Sequence, residues 1–241
     1  MSSTPRSRPI VAIDGPAASG KSTTARAVAD ALGLRHIDSG ALYRAVTLIA
    51  LELPEPPERW RPDELVARAR ARALSLVPGL GPGTVGVTVQ GAPVADALRS
   101  EAVTREVSRV AAMEPVRGFV NQLIRSAVPD GGVVLDGRDI GTAVFPDADV
   151  KVFLVADAEE RARRRLAEQG RARDPGSLRA EADALVRRDA HDASRDVAPL
   201  SRAPDAVLLD TTGLSFEQQV RSIVELVRQR SSSLDHTSTG G

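Results

Sequence analysis

The sequence predicts an α/β protein built on a doubly wound parallel sheet, and three observations predict it. Short apolar runs such as IVAI, GVVLD and KVFLV alternate along the chain with longer helix-like runs. These apolar runs are nearly continuous rather than alternating with polar residues, the pattern of strands buried on both faces. The first of them leads directly into GPAASGKST, residues Gly15 to Thr23, a loop of small residues that opens a helical pattern. Sheets of this kind bind their ligands beyond the carboxyl ends of the strands.

Taken in order, residues 1–8 are polar and predicted to be disordered. PIVAID reads as a buried strand, and Thr23 to Leu32 as a helix that Gly33 is placed to end. RHID is a short strand and Ala41 to Leu51 a partly buried helix. ELPEPPERWRP is a proline-rich loop, after which Pro62 and Asp63 start a helix over DELVARARARA. From Leu74 the texture changes: glycines and prolines punctuate LSLVPGLGPGTVGVTVQGAPVA, and Val85, Val87 and Val89 alternate, so a small antiparallel β-piece is expected here as an insertion. Helices follow over about 100–112 and 116–127. The strand–helix alternation then resumes with GVVLD, a loop GRDIGTAVFPDA, the strand DVKVFLV and the helix EERARRRLAE. A helix through Arg188, a strand AVLLD and a helix FEQQVRSIVELVRQ complete it, and 231–241 is expected to be a disordered tail. Four or five strands therefore alternate with helices on both faces.

Composition narrows the function. The formal net charge is zero, which argues against nucleic acid or an anionic membrane as the main partner. There is no cysteine, so disulfides and thiolate metal sites are excluded and a reducing, cytoplasmic setting is expected. The N-terminus has no apolar signal-like stretch, and no run approaches the ~18 apolar residues of a membrane span.

The chain has 32 lysines and arginines, yet only Lys21 and Lys151 are lysines. Lys21 falls in Gly15-Pro16-Ala17-Ala18-Ser19-Gly20-Lys21-Ser22, which fits G-x-x-x-x-G-K-[ST] and continues to Thr23. Such a loop turns backbone N–H groups inward to make an anion site, and the helix after it adds its positive end. A lysine is a compact point charge that can reach between outer phosphates, whereas a planar guanidinium substitutes poorly. Ser22 supplies a hydroxyl for Mg²⁺. The motif implies a nucleoside triphosphate but not its use. A switch GTPase would carry N-K-x-D, and no lysine here lies in that context. A small kinase fits better, since it needs a second anionic pocket and a mobile basic lid. Residues 161–202 hold eleven arginines against seven acidic residues. Among them Arg163 and Arg179 read as a solvated helix face with i,i+4 ion pairs.

DSGALYR (Asp38 to Arg44) and DGRDIGTAVFPDA (Asp136 to Ala148) both follow expected strands, at the ligand-binding ends. Arg138 and Asp139 offer a donor fork and an acceptor from adjacent positions. Asp136 ends a strand where phosphate-loop proteins hold Mg²⁺ or its waters. His36, His191 and Trp60 read as packing or surface residues rather than catalytic ones, and for Tyr43 packing and stacking on a base stand level.

The stretches IDGPAASGKST, DSGALYR, VSRVAAMEPVR, DGRDIGTAVFPDA, KVFLVA with EERARRR, and RRDAHDASRDVAPL together resemble the bacterial cytidylate kinases, over about residues 9–229. The resemblance implies transfer of the γ-phosphoryl of ATP, with Mg²⁺, to CMP or dCMP. It implies a kinase domain over 9–230 with a five-stranded sheet, a monophosphate-binding insertion at about 52–128 that contains the β-piece, and a short lid at about 161–178. It assigns Ser108, Arg117 and Asp139 to the cytosine, and Arg44 and Arg138 to the acceptor phosphate with help from Arg188 and Arg195. Asp192 would face the ribose, and Ser39 would lie by the acceptor nucleotide. The lid arginines come from Arg161, Arg164 and Arg165. A monomer is expected. Ala18 stands where many relatives carry glycine, and fits if its φ is negative. Two other readings stay open: a nucleotide-binding regulator that transfers nothing, and a pyrimidine kinase that also accepts UMP.

Overall fold

In the computed structural model the described residues are 8–79, 83–128 and 130–237, with side chains described up to residue 230. Residues 1–7 and 238–241 of the expected disordered ends, and Leu80–Pro82 in the turn of the β-piece, lie outside them.

The main sheet has five strands in the order β2-β6-β1-β7-β8, where β1 is Arg8–Asp14, β2 Arg35–Asp38, β6 Gly131–Gly137, β7 Val150–Val155 and β8 Val207–Asp210. The β1–β6, β1–β7 and β7–β8 pairs are parallel. This is the order of a doubly wound sheet, as the alternation in the sequence predicts. The chain divides into two compact units, residues 1–34 with 131–241, and residues 35–130.

In the first unit, β1 and β6 are buried almost end to end because both faces are covered. Val11, Ile13, Val134, Val152 and Leu154 meet Ala25, Val28 and Ala29 of α1 (Lys21–Leu32) and Ile223, Val224 and Val227 of α8 (Phe216–Thr237). Helix α1 stops at Gly33, whose φ of 62° lies in the left-handed region and whose N–H reaches back to the last turn. The register matters for function. Ile13 stands opposite Asp136, and Asp14 opposite both Gly137 and Phe153, so β1 and β6 end level, β7 runs two residues further, and their loops emerge on the same edge of the sheet. Helices α6 (Ala158–Glu168) and α7 (Pro175–Ala193) pack on each other and, through Ala162 and Leu185, on Ala17.

The second unit contains α2 (Ser39–Ala50), α3 (Pro62–Ala71), α4 (Glu101–Ala111) and α5 (Glu114–Ser126), with α2 packed on α4 and α3 on α5. It also holds the expected antiparallel sheet, β3 (Ser75–Pro78), β4 (Val85–Val89) and β5 (Ala92–Pro93). The β4–β5 turn is Gln90–Gly91, both at positive φ (53° and 76°), the backbone of a tight two-residue hairpin.

Three elements differ from the sequence reading. Helix α7 runs past Arg188 to Ala193, although DAHDA lacks apolar periodicity, and an Asp192–Arg195 ion pair lies at its end. Residues Ile140–Val144, expected as loop, form a π-helical turn, with Ala143 and Val144 both donating to the Asp139 carbonyl. Helix α8 extends to Thr237, through residues expected to belong to a disordered tail. Among the described residues no helix is long and apolar enough to cross a membrane.

Candidate active site

The loop Gly15–Gly20 closes tightly for reasons set by its neighbours. Gly15 has φ 149°, and a Cβ there would lie 2.1 Å from the Leu154 carbonyl of β7, so no side chain fits. Gly20 has φ 88° and precedes α1 with no side-chain cap; the helix has no acidic residue in its first turn. The first N–H groups of α1 are therefore left for an external acceptor. Ser22 and Thr23 stand exposed at that end. Ala18 has φ 57°, in the left-handed region. The negative φ under which alanine fits without strain is not adopted, and an αL conformation costs a non-glycine residue about 1–2 kcal/mol.

Lys21 is buried at 6% exposure, with Nζ 2.5 Å from the Pro16 carbonyl and 3.2 Å from Ser19 Oγ. Burial first, and the Arg138 charge second, push its pKa well below the usual lysine value, against the pull of Asp136, Asp14 and Asp189. A cation held this way gains from an incoming anion. Ser22 Oγ donates to Asp136 Oδ2 at 2.5 Å, which joins the start of α1 to the end of β6.

Around that centre lie two acidic residues that sequence reasoning did not single out. Asp14, 5% exposed, accepts from the Ile140 and Gly141 N–H groups at 2.8 and 2.7 Å. It thus fixes the chain just after Arg138 and Asp139. Desolvation raises its pKa to about 6 despite those hydrogen bonds, and the Asp139 charge adds to the rise. Asp189 accepts from the Ala17 N–H at 2.9 Å and pairs with Arg161. Asp14 ends an apolar strand, and its signal was its place beside the loop. Asp189 lies inside RRDAHDASR, between two residues that were singled out.

Among the arginines on α6, Arg161 and Arg164 lie against the phosphate loop. Arg161 is 6% exposed and donates to the Ala17 carbonyl at 3.0 Å. Arg164 donates to the Ser19 carbonyl at 3.2 Å, to Thr211 Oγ1 and carbonyl at 3.1 and 2.8 Å, and to Glu160 at 2.9 Å. Arg165 faces Glu168 instead. Arg163 pairs with Glu159 and Glu160 on the exposed face, as its i,i+4 spacing implies.

A second cationic cluster forms where Arg138, just after β6, reaches the end of α7. Asp192, 2% exposed, accepts from Arg138 Nε at 3.2 Å and from Arg195. Arg188 stands one turn earlier on α7, half-buried. Asp139 is 3% exposed at the entry to the π turn.

The remaining predicted residues belong to the second unit. Asp38 caps α2, accepting from the Ala41 N–H at 3.2 Å, and Ser39 is buried in the helix's first turn. Arg44 donates to the Leu98 carbonyl and Thr104 Oγ1. Arg117 donates to the Ala111 carbonyl and lies over the Tyr43 ring, 5.3 Å from its centroid. Ser108 is half-buried on α4. His36 and Trp60 are buried and His191 is exposed, as expected.

A family model described as cytidylate kinase matches residues 11–229, which include both clusters. The chain is 44% identical over 226 residues to a cytidylate kinase of Streptomyces griseus, covering 93% of this chain and 94% of that protein. It is 45% identical over 220 residues to one of Geobacillus kaustophilus, covering 91% and 96%. It also matches a bifunctional pantoate ligase/cytidylate kinase of Synechocystis, 44% identical over 226 residues, spanning 92% of this chain but 43% of that longer protein. A solved structure of an uncharacterised protein from Eubacterium ventriosum shares the fold, with a TM-score of 0.50 at 11% identity, covering 92% of this chain and 99% of that one.

Proposed function

Because the chain belongs to the cytidylate kinase family, we propose that it transfers the γ-phosphoryl group of ATP to CMP and dCMP, giving CDP and dCDP. The observation that carries this reading is the pair of anion-directed clusters in one unit. Lys21 and the uncapped start of α1 form the first, and Arg138 with Asp192 and Arg195 forms the second. A protein that only bound a triphosphate would have no use for the second.

The chemistry asks little covalent help of the protein. An oxygen of the acceptor phosphate forms a bond to the γ-phosphorus while the bond to the bridging β,γ oxygen breaks, leaving ADP. The second pKa of a phosphate monoester is about 6, so the attacking oxygen is already anionic near pH 7 and needs no general base. What remains is holding two anions in line and offsetting their charge. Gly15 to Thr23 would hold the donor phosphates with Lys21 between the outer ones. Arg161 and Arg164 are placed to answer changes in the loop. Arg44, Arg138, Arg188 and Arg195 would hold the acceptor phosphate, with Asp192 orienting Arg138 and Arg195 as well as facing the ribose.

Mg²⁺ fits the residues present. It is commonly held by one or two carboxylates together with substrate phosphates and waters, and the Ser22 hydroxyl and Asp136 carboxylate stand together at the loop. Bound there, it would offset charge on the phosphates.

For base selection, Asp139 would accept from the cytosine amino group with Ser108 and Arg117 completing the contacts. Uracil presents a carbonyl at that position, which would leave a buried carboxylate facing an oxygen.

The test is ADP release from Mg-ATP with CMP, dCMP, UMP, AMP or no acceptor. Rapid release with CMP and dCMP, and little with the others, is expected. Equal rates with UMP would defeat the cytosine assignment, and no release from folded, ATP-binding protein would defeat the kinase reading.

A further inference from the structure

Asp189 holds the middle of the phosphate loop. Its Oδ1 accepts from the Ala17 N–H at 2.9 Å, its Oδ2 pairs with Arg161 Nη1, and that same Nη1 donates to the Ala17 carbonyl at 3.0 Å. Both polar groups of one loop residue are thus held by one carboxylate–guanidinium pair. The pair is largely out of water, with side-chain exposures of 16% for Asp189 and 8% for Arg161. Beside it Ala17, Ala162 and Leu185 form a small core that loop, α6 and α7 share.

One turn along α7, Asp192 accepts from Arg138 and Arg195. The end of α7 is therefore fastened twice within a single turn, to the phosphate loop by Asp189 and to the end of β6 by Asp192.

We propose that Asp189 is a positioning residue that couples occupancy of the phosphate loop to Arg188 and Asp192 of α7 and to Arg195 just beyond its end, so that donor and acceptor nucleotides favour each other's binding. This rests on the kinase reading given above. An anion in the loop attracts the loop's N–H groups, and the Ala17 N–H is one whose present partner is itself an anionic carboxylate. The two anions repel, so filling the loop changes the hold of Asp189 on Ala17. Any displacement of that peptide is passed to Asp189, and α7 is continuous from Asp189 to Asp192. The cationic cluster one turn away then responds. Coupling of this sort is reciprocal: each nucleotide must change the other's affinity by the same factor.

The experiment measures CMP binding by calorimetry, with and without the β,γ-imido analogue of ATP and Mg²⁺, in the full chain. The wild type is expected to bind CMP at least about five-fold more tightly with the analogue present, and the analogue to gain equally from CMP. In Asp189→Ala that factor falls to about one. In Asp189→Asn, which keeps an acceptor for the Ala17 N–H and loses the ion pair with Arg161, it falls at least by half. The Asn variant carries the test if circular dichroism shows that the Ala variant is unfolded. A wild-type factor near one overturns the proposal. So does an unchanged factor in the variants, even with both separate affinities weakened, because that is the result a purely structural role gives. A folded wild type that binds no CMP under either condition overturns the kinase reading along with it.

Discussion

Asp14 makes the stability of the fold fall with pH in a window where most carboxylates do the opposite. Its pKa is raised from 3.8 to about 6, because desolvation outweighs the two backbone hydrogen bonds it accepts. Below pH 4 both the folded and the unfolded chain carry the proton, and this group costs the fold nothing. Between about 4 and 6 the unfolded chain loses the proton while the folded chain retains it, so raising the pH favours unfolding. Above 6 both forms are ionised and the loss is complete. A shift of about two units at 1.36 kcal/mol per unit makes the cost about 3 kcal/mol. That is a large part of the 5–15 kcal/mol typical of a domain's stability. The perturbation is Asp14→Asn, which removes the titration and keeps the size. Urea unfolding of both proteins from pH 4 to pH 8 gives the difference in stability at each pH, and the other carboxylates cancel in that difference. The wild type should lose about 3 kcal/mol relative to the variant across the window, whatever the offset between the two at low pH. Parallel curves would refute the reasoning and show that Asp14 titrates in the ordinary carboxylate range.

Two further substitutions test the loop. Lys21→Ala should abolish ADP release while leaving the midpoint of urea unfolding unchanged or higher, since it removes a buried cation whose charged form burial disfavours; an active variant would defeat the phosphate-cradle argument. Gly15→Ala should destabilise the chain by about 3 kcal/mol or more, because its methyl would meet the Leu154 carbonyl of a central strand at 2.1 Å and the backbone φ is one that side chains rarely adopt. A thermal melt within a degree of wild type would show that the loop relaxes around the methyl.

The centre of the sheet was legible because β1, β6 and β7 are largely apolar, and burial on both faces leaves that mark on the sequence. The phosphate loop was legible because each position has its own physical requirement. Gly15 in particular is demanded by the Leu154 carbonyl. The end of α7 and the π turn were less so. Their backbone is organised by single polar contacts, Asp192 with Arg195 and Asp14 with Ile140 and Gly141, which have no periodicity to find. Ala18 shows a different limit: its residue type suggests an ordinary backbone, and only the closed loop shows the left-handed one. The choice among the α6 arginines had the same character, since Arg161, Arg164 and Arg165 are interchangeable as letters and differ only in what the helix turns them toward.

The acidic residues that spacing did not mark share one property: each accepts from backbone N–H groups of a loop. Asp14 holds the Asp139 loop and Asp189 holds the phosphate loop. A site that must receive two anions gathers cations, and gathered cations repel one another before the anions arrive. Carboxylates placed against the loops, at the end of β1 and within α7, offset part of that repulsion in the empty site while spending their hydrogen bonds on backbone geometry. Such residues are expressed in no motif of ligand contacts, because they touch the loops that would hold the ligand. They are instead found by asking, for each strained or glycine-rich loop, which buried carboxylate accepts its N–H groups.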